Sequence, residues 1–158
     1  MVYGKTGLAF DPDKRELFDS RVRKRLEETG VGASAYVRML ASGASDSEFR
    51  PLVDLLTVNE AHFFREPSQL TVFATTVLPD IYEEKQRSAW PKIRICSAGY
   101  SVGCEPYTLA IIVLEFLKQR AKVPVEIVGT DISLSALEVA RKALYADHGD
   151  GCGEPITP

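Results

Sequence analysis

The chain has 158 residues, of which 45% are hydrophobic and 26% are charged, a composition typical of a globular protein and not of a disordered one. Nineteen basic residues against 22 acidic residues give a formal net charge of −3, which argues against general affinity for nucleic acid. The three cysteines show no C-x-x-C spacing, so we predict no metal site and no disulfide framework. The longest apolar run, Leu109–Leu117, contains Glu115, and the N-terminus lacks the apolar stretch of a signal peptide, so we expect a cytoplasmic protein without membrane insertion.

Residues 1–86 are predicted to form a small bundle of four amphipathic helices. Apolar residues recur in this region at spacings of three and four, which places them on one face of each helix. The first helix is predicted to end at Gly30 and the third to begin near Ser47. The apolar faces of the four helices are carried by Phe18, Val22 and Leu26, by Ala33, Tyr36, Val37 and Leu40, by Phe49, Leu52, Val53 and Leu56, and by Leu70, Phe73 and Val77. Pro79 is expected to bend or end the fourth helix.

The pattern changes at Arg87–Pro91, which we interpret as a linker to a second domain at residues 93–146. That domain is predicted to contain a strand, a glycine loop, a helix, a second strand and a second helix, at Ile93–Cys96, Ser97–Gly103, Pro106–Lys118, Val125–Gly129 and Ser133–Tyr145. The order is a βαβα unit with parallel strands, so the predicted fold class is α/β, a helical bundle followed by a truncated Rossmann-like unit. The turn-rich residues 147–158 are predicted to be an irregular tail.

Two strands are too few for a doubly wound sheet, which usually has about six. Either the chain is a fragment or a partner covers the missing half of the sheet. We therefore expect an exposed strand edge, exposed apolar helix surface and marginal stability.

The loop from Ser97 to Glu105 follows the first predicted strand, where glycines allow a ligand to approach the backbone. It matches neither the P-loop pattern nor the full G-x-G-x-x-G pattern, so a P-loop nucleotidase or a dinucleotide enzyme fits poorly. The loop alone is equally compatible with a tight turn. Asp131 ends the second strand, where an acidic residue either binds ribose hydroxyls or caps the next helix.

A third segment, Thr57–Arg65, contains residues that a helical bundle alone does not require. Thr57 and Glu60 are spaced as a helix capping box, and the adjacent Phe63 and Phe64 are expected in the core. Arg65 is either a surface residue near a helix end or a planar cation that pairs with a cofactor carboxylate.

Taken together, these segments resemble the chemotaxis-receptor methyltransferases of the CheR type. The resemblance rests on segments Asn59–Arg65, Ile93–Gly99, Gly103–Tyr107 and Gly129–Ser133 and covers nearly the whole chain. It implies an S-adenosylmethionine-dependent enzyme that methylates glutamates of chemoreceptors. It also implies that Asn59 and Arg65 reach the cofactor, that Asp131 holds its ribose, and that Ala98 and Gly99 line its methionine moiety.

The chain departs from the family pattern at several positions. Family members usually carry threonine at the position of Ala61 and a second glutamate at the position of Cys104, and both side chains contact the cofactor. The expected tryptophan is replaced by Cys96, and the family's later strands and receptor-docking subdomain, which should follow Tyr145, are absent from these 158 residues.

Methyl transfer from a sulfonium to an ionised glutamate needs alignment more than acid–base chemistry, so we predict no catalytic side chain. Four basic residues on the first predicted helix, Arg21, Arg23, Lys24 and Arg25, are either a receptor-binding surface, as the resemblance implies, or a solvated helix face. The resemblance favours a receptor-glutamate methyltransferase. The departures keep open the alternative of a non-catalytic remnant that acts as a binding module.

Overall fold

The structure, a computed structural model, describes residues 2–9, 13, 15–42, 46–146 and 154–155. The chain divides into two compact units, residues 1–58 with 132–135 and residues 59–131 with 136–158. The division falls after Val58 and not at the end of the predicted helical domain 1–86, because the helical residues 67–86 pack on the strand and the apolar helix that follow them. Among the described residues, no helix combines the length and the apolar character that crossing a membrane requires.

The first unit contains three of the four predicted amphipathic helices and one short helix that periodicity did not indicate, whereas the predicted fourth helix lies in the second unit. The helices are α1 at Val2–Thr6, α2 at Arg15–Thr29, α3 at Ala33–Ala41 and α4 at Asp46–Leu56. Tyr36 and Leu40 of α3 are buried against Leu52 and Leu56 of α4, as the 3-4 spacing predicted. The predictions for Ala33 and Val37 were wrong, because both were expected on the buried face and both are exposed, Val37 by 60%.

Helix α2 ends where its sequence predicted. Gly30 adopts a φ of +66°, and its N–H donates to the Leu26 carbonyl at 2.9 Å. A residue in this left-handed conformation closes a helix C-terminus, and glycine adopts it without steric cost.

The second unit begins with a helical stretch, continues through a parallel strand pair and ends in a small antiparallel pair. Its elements are α5 at Pro67–Val72, α6 at Leu78–Gln86, β1 at Ile93–Ala98, α7 at Cys104–Leu117, β2 at Val125–Thr130, α8 at Leu134–Lys142, β3 at Tyr145–Ala146 and β4 at Glu154–Pro155. The predicted β-α-β-α order is confirmed. Residues Leu78, Tyr82, Ile93, Val113 and Val123 form the buried core of this unit.

Helices α5 and α6 are joined by a π-helical turn at Phe73–Val77, so the helix neither stops nor restarts at Pro79. Pro79 has no N–H to donate to the carbonyl four residues earlier, and its ring crowds that carbonyl. The Leu78 N–H instead donates to the Phe73 carbonyl, five residues back. The turn widens by one residue, which is how a π-turn absorbs such a defect within a helix.

Strands β1 and β2 are parallel and paired from Ile93–Val125 to Ala98–Thr130. Strand β3 pairs with β4 in antiparallel fashion, Tyr145 with Pro155 and Ala146 with Glu154. Of the predicted tail 147–158, only this Glu154–Pro155 strand is described, and the other residues lie outside the described ranges.

The β1–β2 sheet has two strands within the described residues, so each strand presents one open edge. The apolar side chains of Ile111, Leu114 and Val128 are also exposed. This surface has the character expected from the sequence, while the marginal stability inferred from it stays a prediction.

Candidate functional site

An open cavity of about 580 Å³ lies within the second unit, and several of the predicted site residues belong to it. Small-molecule sites typically occupy about 300–1,000 Å³. The lining residues come from the segment after α4, from α5 and the π-turn, from the turn after β1 and from α7. They are Glu60, Ala61, His62, Arg65, Glu66, Gln69, Leu70, Phe73, Gly99, Tyr100, Ser101, Glu105, Thr108 and Leu109.

The turn after β1 is held from both sides by backbone hydrogen bonds. Gly99 has a φ of +71°, and its N–H donates to the Thr130 carbonyl at 2.7 Å. Ser101 also has a positive φ, +55°, and its N–H donates to Asp131 Oδ2 at 2.7 Å. The aspartate at the end of β2 therefore fixes the conformation of the turn that lines the cavity.

Gly103 closes the turn at a position where only glycine fits. Its φ is +98°, and a Cβ there would lie 2.7 Å from the Tyr145 hydroxyl and 2.8 Å from the Ala140 Cβ. Tyr145 in turn donates its hydroxyl to the Val102 carbonyl at 2.7 Å, and burial raises its pKa to about 12. This close packing sets the direction in which α7 leaves the turn.

The segment after α4 is irregular, which corrects the capping-box prediction. No helix begins at Thr57, whose hydroxyl donates back to the Asp54 carbonyl at 2.9 Å. Phe64 and Glu66 have φ values of +56°, a conformation that non-glycine residues adopt only when their surroundings impose it. One such restraint is the Phe64 N–H, which donates to Thr108 Oγ1 on α7 at 3.1 Å.

The two phenylalanines of this segment have different environments. Phe63 packs edge-to-face on Tyr145 with ring centroids 5.0 Å apart, as a core residue should. Phe64 was also expected in the core, but its side chain is 47% exposed.

Arg65 is exposed and lines the cavity, where its Nη1 donates to the Glu60 carbonyl at 3.4 Å. A contact of this length is weak, so most of the guanidinium's donor capacity remains available to a ligand. Glu105 lies on the same cavity, and its Oε1 accepts the buried Ser97 hydroxyl at 2.6 Å. The cavity thus presents a planar cation and an oriented carboxylate, a pair of groups suited to a zwitterionic ligand.

Ala61 and Cys104, two of the departures from the family pattern, meet in space. Cys104 is fully buried, and its Sγ–H donates to the Ala61 carbonyl at 3.6 Å. Ala61 packs on the cluster formed by Cys104, Val102 and Ala136. The two positions where the family's polar cofactor contacts are expected therefore carry small side chains, and a thiol–carbonyl hydrogen bond joins the two residues.

The predicted cofactor residues fall into two groups. Arg65 and Gly99 line the cavity directly. Asp131 is bonded to the lining residue Ser101, Ala98 is exposed at the end of β1, and the half-buried Asn59 precedes the first lining residue, Glu60. Their roles toward a cofactor stay predictions.

Sequence reasoning did not assign several polar residues of the cavity to the site, among them Ser101, Glu105 and Thr108. Glu105 could have been found, because it lies in the first turn of a helix that follows a glycine loop. Ser101 and Thr108 carry no such signal, since their importance depends on contacts with Asp131 and Phe64 far along the chain.

The four basic residues of α2 do not form one free surface. Arg21 donates to the Leu56 and Thr57 carbonyls at 3.1 Å, which closes the C-terminus of α4. Arg25 makes two 2.8 Å bonds to the Glu48 carboxylate, which raise the arginine pKa and lower that of Glu48. Arg23 and Lys24 are exposed.

Comparison with known proteins identifies both units. Residues 1–57 match the family model described as "CheR methyltransferase, all-alpha domain", and residues 59–149 match "CheR methyltransferase, SAM binding domain". A chemotaxis protein methyltransferase of Borreliella burgdorferi is 32% identical over 149 residues, covering 93% of this chain and 53% of the relative. Chemotaxis protein methyltransferase 2 of Vibrio cholerae is 36% identical over 148 residues, covering 91% and 49%, respectively. The chain spans about half the length of the curated relatives it matches. It belongs to the CheR methyltransferase family.

Proposed function

We propose that this chain contributes the cofactor-binding part of an S-adenosylmethionine-dependent methyltransferase that modifies glutamate side chains of chemoreceptors. The observation that carries the proposal is the placement of Arg65 and the turn beginning at Gly99 on one cavity, with Asp131 bonded to that turn. The family match and the names of the relatives support the choice of ligand and reaction class.

The residues present fit the chemistry of S-adenosylmethionine. Its methionine part carries a carboxylate, which Arg65 would bind, and an ammonium group, which Glu105 would bind. Ala98 and Gly99 would lie along this part, where a small side chain and none leave room for the ligand. Asp131 would accept hydrogen bonds from the ribose hydroxyls, and Asn59 would add an amide contact.

Bound in this way, the cofactor supplies a methyl group already activated by the sulfonium. A glutamate acceptor is ionised at neutral pH, since its reference pKa is about 4.3, so no side chain has to remove a proton. The protein's part is to hold the methyl carbon in line with the carboxylate oxygen and to exclude water from the nucleophile.

The proposed partner is the cytoplasmic region of a chemoreceptor with its glutamate-bearing helices, which places the reaction in the cytoplasm. Arg23 and Lys24 are the exposed basic groups available to contact an acidic helix. Reversing both charges should weaken binding to a soluble receptor fragment, and reversing the exposed Arg38 on α3 should not. If the two variants bind the receptor fragment equally well, the basic residues of α2 do not contact the receptor.

Calorimetric titration with S-adenosylhomocysteine, the reaction product, tests the cofactor proposal. We expect micromolar binding by the unmodified chain and at least tenfold weaker binding by Arg65→Ala, since hydrogen bonds to charged groups contribute about 1.5–3 kcal/mol. Arg87→Ala is the matched control, because Arg87 is exposed and pairs with Glu83 away from the cavity. Absence of binding would favour a non-catalytic binding module, the function that Ala61 and Cys104 favour by replacing two polar side chains of the family pattern.

A further inference from the structure

The hydroxyl of Ser101 is a buried polar group without a hydrogen-bond partner among the described residues. The residue is 9% exposed, and it lines the cavity. Most buried polar groups in proteins are hydrogen-bonded, because a buried hydroxyl that has lost its water contacts destabilises the fold. The unpaired hydroxyl of Ser101 therefore needs an explanation other than the stability of the fold.

The backbone of Ser101 provides a second, independent observation. Its φ of +55° lies in the left-handed region that a residue with a Cβ seldom adopts. The Asp131 carboxylate stabilises this conformation by accepting the Ser101 N–H at 2.7 Å. Backbone strain of this kind persists where the surroundings impose it, and such residues cluster at ligand sites.

We propose that the Ser101 side chain is a ligand contact that hydrogen-bonds an uncharged polar group, a sugar hydroxyl, of the nucleoside-type ligand in the cavity. This inference rests on the proposed function. The hydroxyl is buried within the turn, and a change of rotamer about the Cα–Cβ bond would bring it toward the cavity that the residue lines.

The negative charge of Asp131 indicates which kind of ligand group can bind beside Ser101. The Asp131 carboxylate contacts Ser101, and it would repel a phosphate or a carboxylate of a ligand bound next to these two residues. A hydroxyl donates to a carboxylate and exchanges hydrogen bonds with a serine, so adjacent hydroxyls on one sugar suit the Asp131–Ser101 pair.

The test compares three variants by calorimetric titration with S-adenosylhomocysteine and by thermal unfolding without ligand. Ser101→Ala removes the hydroxyl, and Ser101→Gly removes it together with the backbone strain. Ser68→Ala is the matched control, because Ser68 is an exposed serine that does not line this cavity.

We expect Ser101→Ala and Ser101→Gly to weaken binding about fivefold to tenfold, the loss expected for one hydrogen bond, with Ser68→Ala unchanged. Both Ser101 variants should unfold at the same temperature as the unmodified chain or higher, a result that a purely structural serine would not give. Unchanged affinity of Ser101→Ala, or weakening by Ala that Gly does not share, overturns the contact and leaves the proposed function standing. Absence of binding by the unmodified chain overturns both.

Discussion

A glutamate at position 104 should destabilise this chain, although the family pattern carries glutamate there. Cys104 is the first residue of α7 and is fully buried. It packs with Val102 and Ala136, and its Sγ–H donates to the Ala61 carbonyl at 3.6 Å. The replacement Cys104→Glu therefore brings a longer, ionisable side chain into an apolar cluster.

The magnitude follows from three contributions to the free energy of unfolding. Overpacking a filled site costs about 1–3 kcal/mol. Burying a carboxylate without a cation costs several kcal/mol more. The N-terminal position on α7 returns only about 0.3–1 kcal/mol. We expect a net loss of at least about 3 kcal/mol at neutral pH, a large part of the roughly 5–15 kcal/mol that stabilises an ordinary domain.

The loss should depend on pH in a defined direction. Burial raises the pKa of the introduced carboxyl in the folded state above its unfolded value of about 4.3. Between these two pKa values the folded state binds more protons than the unfolded state, so the stability of Cys104→Glu falls as pH rises through this range. The difference from the unmodified chain should be smallest near pH 4 and largest at neutral pH.

Urea denaturation followed by circular dichroism measures the effect, with Cys104→Ser as a control of similar size. The double variant Ala61→Thr with Cys104→Glu should recover about 1 kcal/mol or more relative to the sum of the single changes, because a threonine hydroxyl can hydrogen-bond the carboxyl group. A loss below about 1 kcal/mol for Cys104→Glu would refute the burial argument. Strict additivity would refute the coupling between the two positions.

Three further changes test packing elsewhere. Glu48→Gln should cost about 1–3 kcal/mol in urea denaturation at neutral pH, because it breaks the paired bonds with Arg25. The pairing lowers the pKa of Glu48, so it stabilises the folded state above about pH 4.5 and this stabilisation is lost as the pH falls below that value. The free energies of unfolding of Glu48→Gln and of the unmodified chain should therefore become equal in acid. Gly129→Ala places a Cβ 2.5 Å from the Tyr100 ring and should lower the melting temperature, less so when Tyr100 is also alanine. Tyr145→Phe leaves the Val102 carbonyl without its 2.7 Å bond and should cost about 1–2 kcal/mol, whereas an unchanged urea midpoint would contradict that role.

Periodicity predicted α2, α3 and α4 because each has one face to bury, whereas the short elements α1, β3 and β4 were not predicted. The apolar positions of α4 and the short β-branched runs of β1 and β2 are local signals, and the parallel pairing follows from the helix that connects the strands. The π-turn before α6 has only Pro79 as a local cause, and that residue was interpreted as a bend or an end.

The irregular segment after α4 was beyond local reasoning. Thr57 and Glu60 match a capping box, yet no helix begins there, and the segment instead contacts Thr108 through the Phe64 N–H, 44 residues away in sequence. A contact between residues so far apart in sequence cannot be predicted from the local sequence pattern. The roles of the basic residues could not be predicted locally either. Arg21 and Arg23 lie two residues apart on the same helix, yet Arg21 donates to the carbonyls of Leu56 and Thr57, whereas Arg23 is exposed.

Two departures from the family pattern, Ala61 and Cys104, are far apart in the sequence and adjacent in the fold. In the sequence, Ala61 and Cys104 are 43 residues apart and count as two separate losses of a cofactor contact. In the fold they are neighbours, because the Cys104 thiol donates to the Ala61 carbonyl and Ala61 packs on the apolar cluster that contains Cys104. We therefore interpret them as neighbouring replacements in one cluster beside the cavity, of which Ala61 lines the cavity and Cys104 is buried behind it. Arg65, Glu105 and the Asp131-bound turn are still present at the cavity, so neighbouring replacements at Ala61 and Cys104 leave most of the predicted polar contacts with a cofactor in place.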